Sequence, residues 1–237
     1  MGLSLEIYSN NKVLDITHNL YHNMPTYWTE ELFQLSQVRN IPKDRYEARM
    51  MSLETHHGTH IDAPRHVFEN GKTIDEYPFD KFIGRAVCLN MQFKYDKAVE
   101  REILKRDLSH FEDQIKEADV IILNTGASKR RAVSSEYMFD WPYLDVECAE
   151  YLGSIKKDLK MVGTDAPSIA ANARTFPKAE VIKTHQVLLS KDILIPEELN
   201  LNYDDFERNI TEGYFLFFPL KIYHGDGSPG RAFFVLK

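Results

Sequence analysis

Apolar residues along this chain fall in short runs rich in β-branched and aromatic side chains. The runs 84-GRAVCLNM-91, 119-DVIILNT-125, 160-KMVGTD-165, 193-ILI-195, 214-YFLFFPLKI-222 and 231-RAFFVLK-237 have the length and make-up of buried strands. Residues 12-KVLDITH-18 and 46-YEARMMSLE-54 are weaker strand candidates. Three segments between the runs carry helical spacing. Residues 100–118 lead straight into the run at 119. Residues 145–159 open at Asp145, a suitable N-cap. Residues 177–192 open at Pro177, which a first helical turn tolerates. The stretch from residue 25 to 45 reads as a long, charged loop.

Helices alternate with strands only in the middle of the chain, and both ends are strand-rich. That order predicts a mixed α/β (α+β) fold rather than a plain doubly wound sheet. No repeat or Pro/Gly/Ser-rich linker divides the sequence, so its 237 residues are expected to form one domain, residues 1–237. No glycine-rich nucleotide loop follows any strand, which excludes dinucleotide-binding and P-loop readings.

Charge narrows the partners. The formal net charge is −7, against nucleic acid, which selects basic surfaces. The single dense basic cluster, 129-KRR-131, reads as a solvated turn or an anion contact. Cys88 and Cys148 have no Cys-x-x-Cys spacing and read as two buried thiols in a reducing compartment. No signal-peptide pattern opens the sequence, and no window approaches 18 apolar residues. The expectation is a cytoplasmic protein that binds neither nucleic acid nor membrane.

The chemistry concentrates in 55-THHGTHIDAPRHVF-68, which holds four of the nine histidines. His56, His60 and Asp62 stand at spacings of four and two. Imidazole nitrogen and carboxylate oxygen suit Zn²⁺ or, with more oxygen ligands, Mn²⁺ or Fe²⁺. Gly58 permits a sharp bend between ligands, and Pro64 disfavours a regular helix through the segment. The ligands are therefore expected on a turn beside a strand, with His57 and Thr59 pointing elsewhere. Three ligands from one loop leave coordination positions open, as catalytic sites do. The bland alternative is a polar loop with incidental histidines, which so dense a cluster disfavours. His18 and His22 read as surface or pocket-lining, His110 as solvated, and His224 as part of a Gly-rich turn or of a site.

The segment resembles the hallmark of the cyclase family of metal-dependent hydrolases, which includes bacterial kynurenine formamidase and isatin hydrolase. The family pattern His-x-Gly-Thr-His-x-Asp-x-Pro-x-His stands complete as His56, Gly58, Thr59, His60, Asp62, Pro64 and His66. Further matches are 15-DIT-17, 185-HQVLLSKDILIPEEL-199 and 219-PLKIYHGDGSPGRA-232, so the likeness runs from about residue 13 to the C-terminus. It implies a swivelling β/β/α fold, assembled as homodimers or homotetramers. It implies one or two divalent metals, Zn²⁺ or Mn²⁺: His56, His60 and Asp62 would hold the first, and Asp62, His185 and Glu197 the second. His66 would be the general acid/base. Tyr27 takes the place of a family tryptophan, so Tyr27, Trp28 and Phe33 would form an apolar substrate wall. The implied activity is hydrolysis of an amide-like or cyclic carbonyl bond in a small aromatic or cyclic molecule. A non-catalytic metal-binding or sensory protein on the same fold is the rival, which would not need His66.

Overall fold

A computed structural model describes residues 11–27, 33–95, 101–131 and 137–237. The strands among them are β1 (Val13–Asp15), β2 (Gln34–Arg39), β3 (Ala48–Ser52), β4 (His60–Asp62), β5 (Ile83–Asn90), β6 (Glu102–Ile103), β7 (Val120–Asn124), β8 (Tyr143–Leu144), β9 (Met161–Thr164), β10 (Ile195–Glu197), β11 (Ile210–Pro219) and β12 (Gly227–Leu236). The α-helices are α1 (Ile41–Asp44), α2 (Lys105–Leu108), α3 (Glu112–Glu117), α4 (Val146–Ile155) and α5 (Lys178–Ser190). The fold is the mixed α/β architecture expected from the sequence.

Eight strands form one sheet in the order β10-β4-β12-β11-β5-β7-β9, with β1 also paired to β12. β5, β7 and β9 run parallel, and the remaining pairs are antiparallel. The sheet curls until its two end strands meet: Val162 N donates to Leu194 O just before β10, and a Cβ on Gly163 of β9 would lie 2.9 Å from Pro196 O. This near closure brings β4 and β10, at one end of the strand order, under the helical layer that covers β7 and β9.

Strand β7 explains why its sequence is apolar without alternation. Ile121 and Leu123 enter the core shared with α4 and α5, while Val120 and Ile122 enter the core inside the curl. A central parallel strand buried on both faces needs apolar side chains at every position. In α4, Asp145 is the N-cap, accepting from Glu147 N and Cys148 N. In α5 the buried residues are Thr184, His185, Leu188 and Leu189, one helical face turned to the sheet. His185 therefore rides into the interior on an otherwise core-forming face.

Two expectations need correction. Residues 100–118 are not one helix. Ile103 is buried and pairs with Leu144 in the β6–β8 ladder, and helix begins only after Leu104, whose N–H is capped by the Asp107 carboxylate. Long-range pairing overrides local helical propensity here. The stretch up to residue 45 is not wholly loop, because β2 pairs with β3 in a separate hairpin. Its outward residues Val38, Met50 and Met51 are exposed, so no core-facing pattern marked it.

A histidine–carboxylate centre at the end of the curled sheet

Strand pairing builds the centre. His60 and Asp62 are two apart on β4 and share a face. Glu197 on β10 stands directly across from His60, so its carboxylate joins the same face. On the other flank β12 places Gly227 opposite Asp62. That position must lack a side chain: a Cβ there would sit 2.7 Å from His56 Cε1 and 2.8 Å from Ile61 O. The His56 ring fills the space. It arrives from the turn before β4, which bends at Gly58 with φ +66°. His66 ends the single 3₁₀ turn Pro64–His66, with Pro64 in its first position. His185 comes down from α5. Of the three residues expected on a turn beside a strand, His56 lies on the turn, whereas His60 and Asp62 lie within β4 itself.

Ligand atoms of His60, Asp62 and Glu197 all lie within 4.8 Å of one another, as do those of His56, Asp62 and His66. His60 Nε2 is 3.4 Å from Asp62 Oδ1 and 3.5 Å from Glu197 Oε2. His185 Nε2 is 3.6 Å from Asp62 Oδ2 and 3.4 Å from Glu197 Oε1. These separations exceed ordinary hydrogen bonds. They match the edges, about 3.3–3.6 Å, of a tetrahedron of donors placed roughly 2.0–2.2 Å from an ion. His60 Nδ1 donates to Gly58 O at 2.7 Å, which leaves Nε2 as an acceptor toward the cluster. His56 is more tightly paired, with Nδ1 2.8 Å from Asp62 Oδ1 and Nε2 2.8 Å from Asp226 Oδ2.

The donor set fits a divalent cation. Asp62 Oδ2 and His185 Nδ1 are buried and lack a hydrogen-bond partner among the described residues. Among the described residues, buried Asp62 and Glu197 have imidazoles alone as ion-pair partners. Buried charge of that kind needs a counter-charge. In its absence the imidazoles take up protons. Burial pushes the His56 ring down, but the Asp62 charge and the hydrogen bonds to Asp226 and Asp62 outweigh it and raise it to about 9. His60 moves well up against burial, through bonds to Asp62 and Glu197, and His185 moves up through Glu197. Asp62 is held well below the usual carboxylate range by the His56 and His66 charges, although burial opposes this. A bound dication would supply the same positive charge and leave the rings free as neutral donors.

The centre floors a cavity of about 480 Å³ walled by Tyr27, Pro167, Val181 and Ile182, with His56, His60, His66, His185 and Glu197 at its base. Tyr27 lines this cavity. Trp28 lies outside the described residues. Phe33 is fully buried elsewhere and does not line the cavity.

The remaining histidines divide. His57 is buried and accepts from Glu54 N, shaping the turn, and Thr59 Oγ1 donates to Glu198 O on the far side of β4. The His18 backbone N donates to Thr59 Oγ1, and burial beside Arg131 lowers its ring to about 3, so it stays neutral. His22 is exposed, with Nδ1 accepting from Leu35 N, and His224 sits exposed in its turn with φ +54°. The basic cluster is not a solvated turn throughout. Arg131 is buried and its guanidinium donates to Glu198 Oε2 at 3.1 Å, while Lys129 pairs with Glu207. Among site residues the sequence reading missed Asp226. Its signal was the Gly-Asp-Gly turn around His224, where two glycines flank one carboxylate.

Curled sheet, α5 and histidine–carboxylate base together define an α/β protein with a metal-type centre. The chain belongs to the Cyclase family, whose model matches residues 14–171. It is 27% identical to a kynurenine formamidase of Erythrobacter litoralis (strain HTCC2594), over 94% of this chain and 94% of the relative. It is 28% identical to cyclase-like protein 3 of Oryza sativa subsp. japonica, over 97% of this chain and 82% of that protein. Isatin hydrolase A from Ralstonia solanacearum has the same fold, with a TM-score of 0.81, 19% identity, and coverage of 97% of this chain and 94% of its own.

Proposed function

We propose that this protein is a metal-dependent hydrolase of amide-like or cyclic carbonyl bonds in small aromatic or cyclic molecules. The observation that carries the reading is the convergence of His60, Asp62 and Glu197 at the base of an apolar-walled cavity, with His66 beside them. Kinship with a kynurenine formamidase supports the bond type.

In this reading His56, His60 and Asp62 would hold one Zn²⁺ or Mn²⁺, and Asp62, His185 and Glu197 would hold a second. When bound, such an ion supplies Lewis acidity toward a carbonyl oxygen and acidifies water. The chain's own residues do the rest. Tyr27, Val181 and Ile182 seat the apolar part of the substrate and exclude bulk water. His66, 28% exposed at the cavity edge, takes a proton from the attacking water and returns it to the leaving nitrogen. One observation favours a second reading, in which His66 is itself a ligand: its ring offers a nitrogen within 4.8 Å of His56 and Asp62 donors.

The reading extends to one domain acting as a homodimer or homotetramer in the cytoplasm. The exposed Val38, Met50 and Met51 side chains on the β2–β3 hairpin support association between copies, and the two free, buried cysteines support a reducing compartment. Among the described residues no helix is long and apolar enough to cross a membrane. The deciding experiment loads the purified protein with Zn²⁺ or Mn²⁺ and assays N-formyl aromatic amines, isatins, lactams and lactones. Turnover of at least one class, abolished by Asp62→Ala, is expected. No turnover with either metal across the panel overturns the reading.

A further inference from the structure

Asp226 sits outside the cavity yet touches two rings that face it. The turn 225-GDG-227 is pinned to the site by its backbone: Ala63 N donates to Asp226 O at 2.9 Å and Ile74 N to Gly225 O at 2.8 Å. Gly225 has no room for a side chain, since a Cβ would lie 2.9 Å from Ile74 Cγ2. The carboxylate is thus delivered on a rigid mount. Thr55 Oγ1 donates to its Oδ1 at 2.9 Å, fixing the rotamer. Its Oδ2 is 2.8 Å from His56 Nε2 and 3.6 Å from His66 Nδ1. The two rings lie against each other with centroids 4.1 Å apart.

At 3.6 Å the His66 contact is an ion-pair rather than a hydrogen-bond distance, and a carboxylate so placed favours the proton on Nδ1 electrostatically, with Nε2 left as the acceptor. We propose that Asp226 is a positioning residue that fixes the Nδ1–H tautomer and ring orientation of His66, so that Nε2 faces the cavity, while the same oxygen braces His56. The logic is that of a carboxylate orienting a general base, applied to a ring that shares its carboxylate with a metal-site histidine. It rests on the reading of His66 as the proton carrier. Asp226 is 37% exposed and contributes no atom to the cavity wall, so it acts through His66 and not on the substrate.

The test compares Asp226→Ala and the near-isosteric Asp226→Asn with the parent, all loaded with Zn²⁺. Metal content, the ¹⁵N chemical shifts of the His66 ring, and kcat and KM on the best panel substrate are measured. The expected result is a kcat loss of about 10–100-fold in Asp226→Ala with KM changed less than about threefold. Its metal content stays near that of the parent, and the His66 signal moves away from the Nδ1–H pattern. Asp226→Asn, which can still accept one N–H, recovers part of both kcat and the tautomer signal. An unchanged His66 tautomer in Asp226→Ala overturns the proposal, as does a kcat loss fully explained by lost metal. If the parent hydrolyses nothing, the functional reading fails, and the tautomer and metal measurements still decide the role of Asp226.

Discussion

Glu197 and Glu198 are neighbours in sequence, nearly equal in burial at 4% and 1% exposure, and served in opposite ways. Glu198 adopts φ +50°, so the chain reverses there and the two side chains leave toward different partners. Glu197 meets His60 and His185 and, across β4, Asp62. Glu198 meets one Arg131 guanidinium, at 3.1 Å. Arg is always charged, so Glu198 is neutralised by a permanent partner. Imidazoles are conditional partners, and the two around Glu197, His60 and His185, balance its charge only while they carry protons. Burial raises Glu197, and the Asp62 charge raises it further, but the His185 and His60 hydrogen bonds leave it below its ordinary range. Burial leaves Glu198 raised even against Arg131. One glutamate thus faces partners whose charge titrates, and its neighbour a partner whose charge does not.

The largest test of this contrast is catalytic. Asp62→Ala and Glu197→Ala should lose metal and turnover together, measured by elemental analysis and steady-state kinetics. His66→Ala should keep its metal and lose about 10²–10⁴-fold in kcat, the usual worth of general acid–base catalysis. If His66→Ala loses metal as fully as Asp62→Ala, His66 is a ligand and the second reading replaces the first.

On the other side of the strand, Arg131→Met strands the buried Glu198 carboxylate. A loss of about 3–5 kcal/mol in unfolding free energy is expected from denaturant titration, with metal content and kcat of the folded protein near normal. Arg131→Met that folds normally but empties the metal centre would erase the distinction between the two glutamates.

Chelation probes both sides in one experiment. Metal binding adds about 2.7 kcal/mol at 100 times its Kd and about 4.1 at 1,000 times. A chelator should therefore lower the wild-type unfolding free energy by about that much at the matching free-metal level. Glu197→Gln should blunt the response and Glu198→Gln should leave it intact. An equal response in both variants would show that the metal is not held at the Glu197 face.

The sequence made much of this legible because the first loop is local. His56, Gly58, His60, Asp62, Pro64 and His66 fall within eleven positions, and turn and strand geometry follow from them. His185 and Glu197 were legible only through family resemblance, since the packing of α5 delivers the one and the pairing of β10 with β4 the other, each over more than a hundred residues. Asp226, a lone carboxylate whose partners lie far along the chain, was not legible; the basic cluster at 129–131 allowed an anion contact, but nothing local named Glu198 as the partner of Arg131. The same limit applied to the fold. The runs that became β5, β7, β9, β11 and β12 announced themselves by apolar composition. β4 is three residues of mixed chemistry and carried no burial pattern; β3 lies within the weaker strand candidate 46–54, whereas its solvent-facing partner β2 went unmarked. The broken segment at 100–118 shows the converse, a good helical pattern overruled where Ile103 found a better place in a ladder.

Asp165 offers a third way to bury a carboxylate and sharpens the contrast by a smaller amount. It is fully buried, and it accepts four hydrogen bonds from neutral donors: Oδ1 from Thr125 N and Oγ1, Oδ2 from Ser128 N and Oγ. Burial still raises it above its ordinary value, with those hydrogen bonds pulling the other way. A carboxyl group raised on folding contributes stability that is fully present below its unfolded pKa, near 3.9, and lost as pH rises through the folded value. Asp165→Asn has nothing to ionise there. Its unfolding free energy relative to wild type should therefore climb from about pH 4 toward neutrality, by about 1.4 kcal/mol for each pKa unit of elevation. Parallel denaturant titrations across that range measure the difference. A difference that instead falls as pH rises would mean that four neutral donors outweigh burial, and that Glu198 needs Arg131 only because it lacks such a set.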